Sequence, residues 1–296
     1  MNHEDALALI SPEEKAALLQ KDTRKALKHL AQHFGAIALT GAYIAFQGPF
    51  WGLVMIPHGV LLTFLFTLAH ECTHATPFGP RWLNNLVGHI ISPLIALPFT
   101  WFRYFHLAHH KHTNDPDRDP ELAGGGRPKT LGGYLKNLTG GRYWRLMLCT
   151  LWTNARGDMT DEYLPERKHL AMVIEAQVIL GLYVIALVAL PFLPILLWVW
   201  IVPVLLGQPF LRLYLLAEHG HCPPVANMLE NTRTTLTNRA VHWLAWNMPY
   251  HAEHHAHPNV PYHQLSALHA HLRPHLKSVS DGYGAFHRTY LRTLGR

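Results

Sequence analysis

Three histidine clusters carry the chemistry this chain could perform: His70-Glu71-Cys72-Thr73-His74, then His106-Leu107-Ala108-His109-His110, and near the end His251-Ala252-Glu253-His254-His255. Imidazole is the commonest metal-binding side chain, and in its neutral form it suits Fe, Zn, Cu and Ni. The clusters supply eight imidazoles, whereas a tetrahedral zinc takes about four ligands and a catalytic zinc about three. The count implies two metals and speaks against a simple zinc site. On a helix, residues four apart share one face about 5–6 Å apart at Cβ, so His70 and His74 can hold one centre. His106, His109 and His110 stand at i, i+3 and i+4, again on one face, and His251, His254 and His255 repeat that spacing. Among 24 histidines one such pattern could be accidental. Two HxxHH patterns and one HxxxH, each beside a membrane-length apolar stretch, are not what scattered surface histidines produce.

The elements that must position these clusters are apolar. Hydrophobic residues make up 49% of the 296 and charged residues only 15%, below the ~25% charged of a typical soluble domain. Mean hydropathy is a modest +0.03 because the apolar content lies in blocks. The expected fold is an all-α integral membrane protein, one structural domain of four transmembrane helices in two hairpins plus a cytosolic helical cap. Residues 1–33 form a cytoplasmic amphipathic segment, opened by Ser11-Pro12-Glu13-Glu14 with a serine cap, proline in the first turn and glutamate three after the cap. No cleaved signal peptide is expected there. Residues 34–75 form the first hairpin, with spans from about Phe34 to Gln47 and Leu53 to His74 joined at Gly48-Pro49-Phe50-Trp51. Residues 170–218 form the second, from about Leu170 to Leu190 and Ile195 to Ala217, joined at Pro191-Phe192-Leu193-Pro194. About 20 apolar residues cross a hydrocarbon core of about 30 Å. Residues 76–169 are a cytoplasmic or interfacial segment holding the second cluster, and 219–296 a cytoplasmic cap holding the third. Within the former, Leu86 to Phe102 is apolar but carries Pro93 and Pro98, and is expected to be re-entrant or interfacial.

Charge sets the orientation. All 25 Lys and Arg lie in the N-terminal tail, in 76–169, or from Arg212 onward, and the two hairpin turns carry none. By the positive-inside rule both termini, the middle segment and all three clusters face the cytoplasm, so one site could collect every imidazole. The net charge of +6 is spread along this face and suits anionic lipid, with no nucleic-acid partner expected. Cys72, Cys149 and Cys222 are too scattered for a disulfide framework. Gly124-Gly125-Gly126 reads as a flexible loop, since no Lys-Ser/Thr signature makes it a phosphate cradle.

Over about residues 34–265 the order, spacing and topology resemble the membrane fatty-acid desaturase superfamily, which includes acyl desaturases, membrane hydroxylases and carotenoid ketolases. Its mark is HxxxH or HxxxxH, then HxxHH, then a late HxxHH. His110-Lys111-His112-Thr113-Asn114-Asp115-Pro116 looks like the acyl-desaturase context of the second box, and Asn247-Met248-Pro249-Tyr250 before the third, with Pro258, Val260, Pro261 and Leu265 after it, looks like a desaturase tail. The resemblance implies two Fe ions held by His70, His74, His106, His109, His110, His251, His254 and His255. It also implies one further histidine between boxes two and three. His219 is favoured, as a helical extension of the fourth span turns it inward sooner; His221 competes. With no cytochrome b5-like segment in the sequence, electrons are expected from a separate ferredoxin, rubredoxin or cytochrome b5-type donor with its reductase.

Breaking an unactivated C–H bond exceeds what acid–base side chains can do, so O2 and reduced metal must supply the oxidant. Removal of two hydrogens gives a double bond, whereas return of oxygen gives an alcohol. The same ligands serve both, so the boxes cannot choose between them. The desaturase-like context of boxes two and three favours desaturation of a fatty-acyl or lipid-like substrate, and a membrane hydroxylase or ketolase is the alternative. A metal transporter is a remote alternative, as transporters hold ligands near the bilayer midplane. Histidine ligands usually donate their second N–H to a carboxylate or carbonyl, which makes Glu71, Glu218, Glu253 and Asp115 candidate supports, with Asp119 beside them. Glu175 is read as interfacial, and Arg212 as snorkelling to headgroups.

Overall fold

The computed structural model describes residues 1–123 and 126–295; Gly124 and Gly125, two of the three glycines of the expected loop, lie outside the described residues. The helices are α1 (His3–Ala8), α2 (Pro12–Leu18), α3 (Thr23–Ala45), α4 (Trp51–Thr63), α5 (Leu65–His74), α6 (Arg81–Ile95), α7 (Phe99–His112), α8 (Leu131–Leu138), α9 (Gly141–Arg156) and α10 (His169–Ala189). After a π-helical turn, Leu197–Ile201, come α11 (Val202–His219), α12 (Met228–Asn231), α13 (Arg239–Leu244), α14 (His251–Ala256), α15 (Leu265–Leu272) and α16 (Tyr283–Thr293). Two short strands, β1 (Thr234–Leu236) and β2 (Val279–Asp281), pair in parallel with Thr234 opposite Val279. The start of α2 is the expected capping box: Ser11 Oγ accepts from Glu14 N–H, and the Glu14 carboxylate accepts from Ser11 N–H.

The fold is all-helical and, among the described residues, has three helices long and apolar enough to cross a membrane: Trp51–His74, Glu166–Ala189 and Leu197–His219. The bent pair Arg81–Ile95 and Phe99–His112 makes a fourth if its two halves count as one span. The expected first span, Phe34 to Gln47, falls largely within a longer helix, α3. It is helical and packs antiparallel on α4, but the helix starts at Thr23 and carries Arg24, Lys25 and Lys28 in its opening turns. Its apolar part, 34–45, rises only about 18 Å, short of the ~30 Å core.

The proline-bearing segment folds differently from a simple break at each proline. Pro93 stays inside α6, and the chain turns by 100° at Ala96–Pro98. Ala96 adopts a left-handed conformation with φ 56°, and Pro98 forces the preceding residue out of the helical region. α7 therefore begins without a capping side chain of its own. Glu175 of α10 supplies one. Its Oε1 accepts from Phe99 N–H at 2.7 Å, its Oε2 from Thr100 N–H at 2.8 Å, and His89 Nδ1 lies 2.9 Å from Oε1. The interfacial reading of Glu175 is thus corrected: it is buried, and it anchors the helix that carries the second box. Two charge-assisted bonds at about 1.5–3 kcal/mol each are at stake. Glu175→Ala is expected to destabilise the protein by roughly 3 kcal/mol, read as a lower thermal midpoint in detergent.

Two crossings fix how the site is assembled. α4 and α11 approach backbone to backbone: a Cβ on Gly59 would stand 1.9 Å from Pro203 O, and one on Gly207 2.1 Å from Gly59 O. Arg103 of α7 donates from Nε to Thr73 O and from Nη2 to Cys72 O, both at 3.2 Å. These are carbonyls left free at the end of α5, so the bonds join the helix of the first box to that of the second.

Candidate metal centre

Each histidine cluster lies where a helix starts or stops. His70 and His74 form the last turn of α5; His106, His109 and His110 lie in the last two turns of α7; His219 ends α11; His251, His254 and His255 make up α14. Helix periodicity points each set to one side, and packing turns those sides toward each other. The result is two groups of imidazoles. In the first, His70, His74, His106, His110 and His254 each offer a nitrogen within 4.8 Å of the others; in the second, His109, His219 and His255 do the same. His251 adjoins the second group, its Nε2 3.1 Å from His219 Nε2. His110 and His255 stack at 4.0 Å between centroids, joining the groups. All nine of these predicted histidines are therefore brought together. His221 is not: it is exposed, stacked on Tyr290 at 4.2 Å, and Thr293 Oγ1 lies 3.1 Å from its Nε2.

The nitrogens are placed for metal more than for one another. His74 and His106 bring Nε2 atoms to 2.9 Å, and His109 and His219 to 3.2 Å. Two nitrogens at right angles on a metal about 2.1 Å away are about 3 Å apart. Both ring nitrogens of His70, His110 and His254, and Nε2 of His255, are buried without a hydrogen-bond partner among the described residues. A buried polar atom left unpaired costs on the order of 1–3 kcal/mol, and coordination would remove that cost at several atoms together. Burial pushes the pKa values of His251, His254 and His255 well below the ordinary imidazole value. They stay neutral, the form that binds a cation. The donor set, all imidazole, suits iron, copper or zinc.

Carboxylates and other acceptors surround these rings at different distances. Asp119 is buried and lies 2.9 Å from His109 Nδ1, while accepting from Asn114 and Glu121 N–H. Glu218 stands 3.5 Å from His251 Nδ1. Glu71 stands 3.5 Å from His254 Nδ1 and is held by Thr76 Oγ1 at 2.9 Å and Tyr262 N–H at 3.1 Å. Both 3.5 Å contacts fall short of a full hydrogen bond. Asp115 reaches no box histidine: its carboxylate pairs with Arg118 at 2.6 Å. Glu253 turns to Thr234 Oγ1 and His269 Nδ1, at 2.6 and 2.5 Å. Two supports were not read from the sequence as such: Thr113, with Oγ1 3.1 Å from His255 Nδ1, and Asn231, whose carbonyl lies 3.4 Å from His219 Nδ1. Thr113 at least stood in the motif after the second box, whereas nothing local marked Asn231. Asp119→Ala is expected to weaken metal binding by 10- to 100-fold, as loss of such a carboxylate typically does, measured by competition with a chelator.

Beside the imidazoles lies a cavity of about 220 Å³ between α5, α7, α9 and α11. His70, His106, His109 and His251 face it at one end, and Phe66, Leu97, Trp101, Phe102, Phe105 and Met147 make much of its wall.

Residues 21–287 match the family model for fatty acid desaturases. Among curated proteins the chain is similar to an sn-1 oleoyl-lipid 12-desaturase of Anabaena variabilis, 38% identical over 80 residues, 24% of this chain and 23% of the relative. It is similar to an sn-1 acyl-lipid omega-3 desaturase (ferredoxin) of Nostoc sp. (strain 36), 33% identical over 70 residues, 24% and 20% of the two chains. It is also similar to a Delta(12)-fatty-acid desaturase of Arabidopsis thaliana, 31% identical over 103 residues, 34% and 26%. The chain thus spans about a quarter of the length of the curated relatives it matches.

Proposed function

The chain belongs to the fatty acid desaturase family, and on that footing we propose that it is an O2-dependent membrane di-iron desaturase that introduces a double bond into a fatty-acyl or related lipid-like substrate. The observation that carries this reading is the pair of abutting buried imidazole groups, five and three strong with His251 alongside. His70, His74, His106, His110 and His254 would hold one iron, and His109, His219, His255 and His251 the other. When bound and reduced, the pair supplies the electrons and the O2 activation that removal of hydrogen from an unactivated carbon requires.

The protein's own part is placement. The aromatic and aliphatic part of the cavity wall beside the imidazoles would hold a chain against the site, while Asp119 fixes the orientation of the His109 ring. Placement of the substrate within about 1 Å then decides which C–H bond is broken. Hydroxylation or ketolation would use the same ligands. The printed names of the relatives, desaturases throughout the three given above, favour desaturation here. Imidazoles gathered at helix ends argue against a transport site at the bilayer midplane.

In the membrane we place α4–α5, α10 and α11 as full crossings, with α3 completing the first hairpin and the imidazoles on the cytoplasmic side. The beginning of α3 supports both termini on that side: His29 stacks on Trp246 at 4.0 Å, and Asp22 N–H donates to His263 Nε2 at 3.0 Å. Electrons would come from a separate ferredoxin, rubredoxin or cytochrome b5-type donor. Gas chromatography of total fatty acids from an expressing strain, with and without oxygen, tests the reading. A new oxygen-dependent double bond in an acyl pool is expected; aerobic lipids identical to the empty-vector control would overturn it.

A further inference from the structure

Arg212 sits on α11 seven residues before His219, on the same helical face and about 10 Å back along the axis. It does not snorkel toward headgroups. Its guanidinium lies over the Tyr143 ring, 4.7 Å from the centroid, and lines the cavity that opens on the imidazoles. Its Nε and Nη2 atoms are closed to solvent and, among the described residues, have no hydrogen-bond partner. The other charged groups on the cavity wall have different engagements. Glu218 faces His251 at 3.5 Å, Glu121 lies 3.7 Å from His109, and Arg142 donates to the carbonyls of Ala123 and Gly126. Arg127 adds further positive charge at the loop side.

Glu121 and Glu218 are within electrostatic reach of Arg212, but neither accepts a hydrogen bond from it. Guanidinium N–H groups shut from solvent without an acceptor are costly, and the fork of donors matches a carboxylate or phosphate. Resting on the reading of this cavity as the substrate site, we infer that the substrate brings its own anion, a carboxylate or phosphate, and that Arg212 binds it. The apolar wall between Arg212 and the imidazoles then takes the alkyl part. The reacting carbon lies several bonds from the anion, at a spacing set by the two turns of α11.

The test is equilibrium binding to metal-loaded protein in lipid nanodiscs, corrected for uptake by empty discs. The probes are laurate, lauroyl lysophosphatidate and neutral methyl laurate. Wild type is expected to bind at least one of the two anions tenfold or more tighter than the ester, the tighter anion marking a free acid or a lipid headgroup as the source. Arg212→Gln is expected to erase that preference while leaving the affinity for the ester within twofold and the metal content unchanged; Arg212→Lys should keep most of it. Equal binding of all three probes by wild type, or an anion preference that survives Arg212→Gln, overturns the inference. If Arg212→Gln fails to fold, the wild-type preference and Arg212→Lys decide: an anion preference in both supports the inference, and its absence from either overturns it. Metal content is read on the same samples, so a protein with two irons and no anion preference fails here without touching the proposed function.

Discussion

Strains expressing His74→Ala or His219→Ala are expected to accumulate no unsaturated product above the empty-vector background. His74 belongs to the five-membered group and His219 to the three-membered one, so under the proposed di-iron reading the two substitutions would act on different metals. Structural sites bind zinc with about 10–16 kcal/mol shared over four ligands, so one lost imidazole removes roughly 3 kcal/mol, more than a hundredfold in affinity. His219 carries additional weight because its Nε2 approaches both His109 and His251, at 3.2 and 3.1 Å. Chemistry that needs both metals fails when either is missing. His221→Ala is the matched control: it sits two residues on, exposed against Tyr290, and should retain near wild-type product. Fatty-acid profiles of the three strains, normalised to membrane protein detected by immunoblot, provide the readout.

Gly207→Leu is expected to prevent the protein from accumulating in folded form. Without a hydrophobic drive between helices inside lipid, small residues that let backbones meet do much of the packing. A side chain at Gly207 would drive into the Gly59 carbonyl of α4, where a Cβ already falls at 2.1 Å. Backbone cannot step aside as a side-chain tip can, so the cost exceeds the typical 1–3 kcal/mol of overpacking. The damage reaches the histidine site as well, since α11 delivers His219 and α4 leads into α5 with His70 and His74. Gly181→Leu on α10 is the contrast. Nothing lies within 4 Å of a Cβ there, and the change should be close to neutral. Fluorescence-detected size exclusion of the two variants separates these outcomes, with a monodisperse peak expected for Gly181→Leu alone.

What could be read from the sequence was whatever repeats with a short period. The i, i+3, i+4 spacing of His106, His109 and His110, and of His251, His254 and His255, identified the faces that meet. The length of the apolar runs located α10 and the end of α11 within a few residues, while the second run begins just ahead of the π-helical turn that precedes α11. The capping box at Ser11 and Glu14 was legible for the same reason, since donor and acceptor are near in sequence.

Contacts between distant residues were not legible. Glu175 looked like one acid in an apolar helix, and only the 100° turn at Ala96–Pro98 supplies the amides it caps. Asp119 and Asp115 looked equivalent after the second box. The backbone between them turns so that one reaches His109 and the other Arg118. Arg212 looked like a headgroup anchor because its position on α11 says nothing of Tyr143, which arrives on α9. The start of α3 was not legible because hydropathy marks where a helix is apolar, whereas the helix itself runs back through Lys28, Lys25 and Arg24 to Thr23.

Under the proposed function the two imidazole groups hold two irons. Elemental analysis of the detergent-purified protein by inductively coupled plasma mass spectrometry, expressed per chain, tests it most directly. Two irons are predicted for the wild type, falling to about one in His74→Ala and in His219→Ala. One zinc per chain, or an iron content indifferent to both substitutions, would contradict the account.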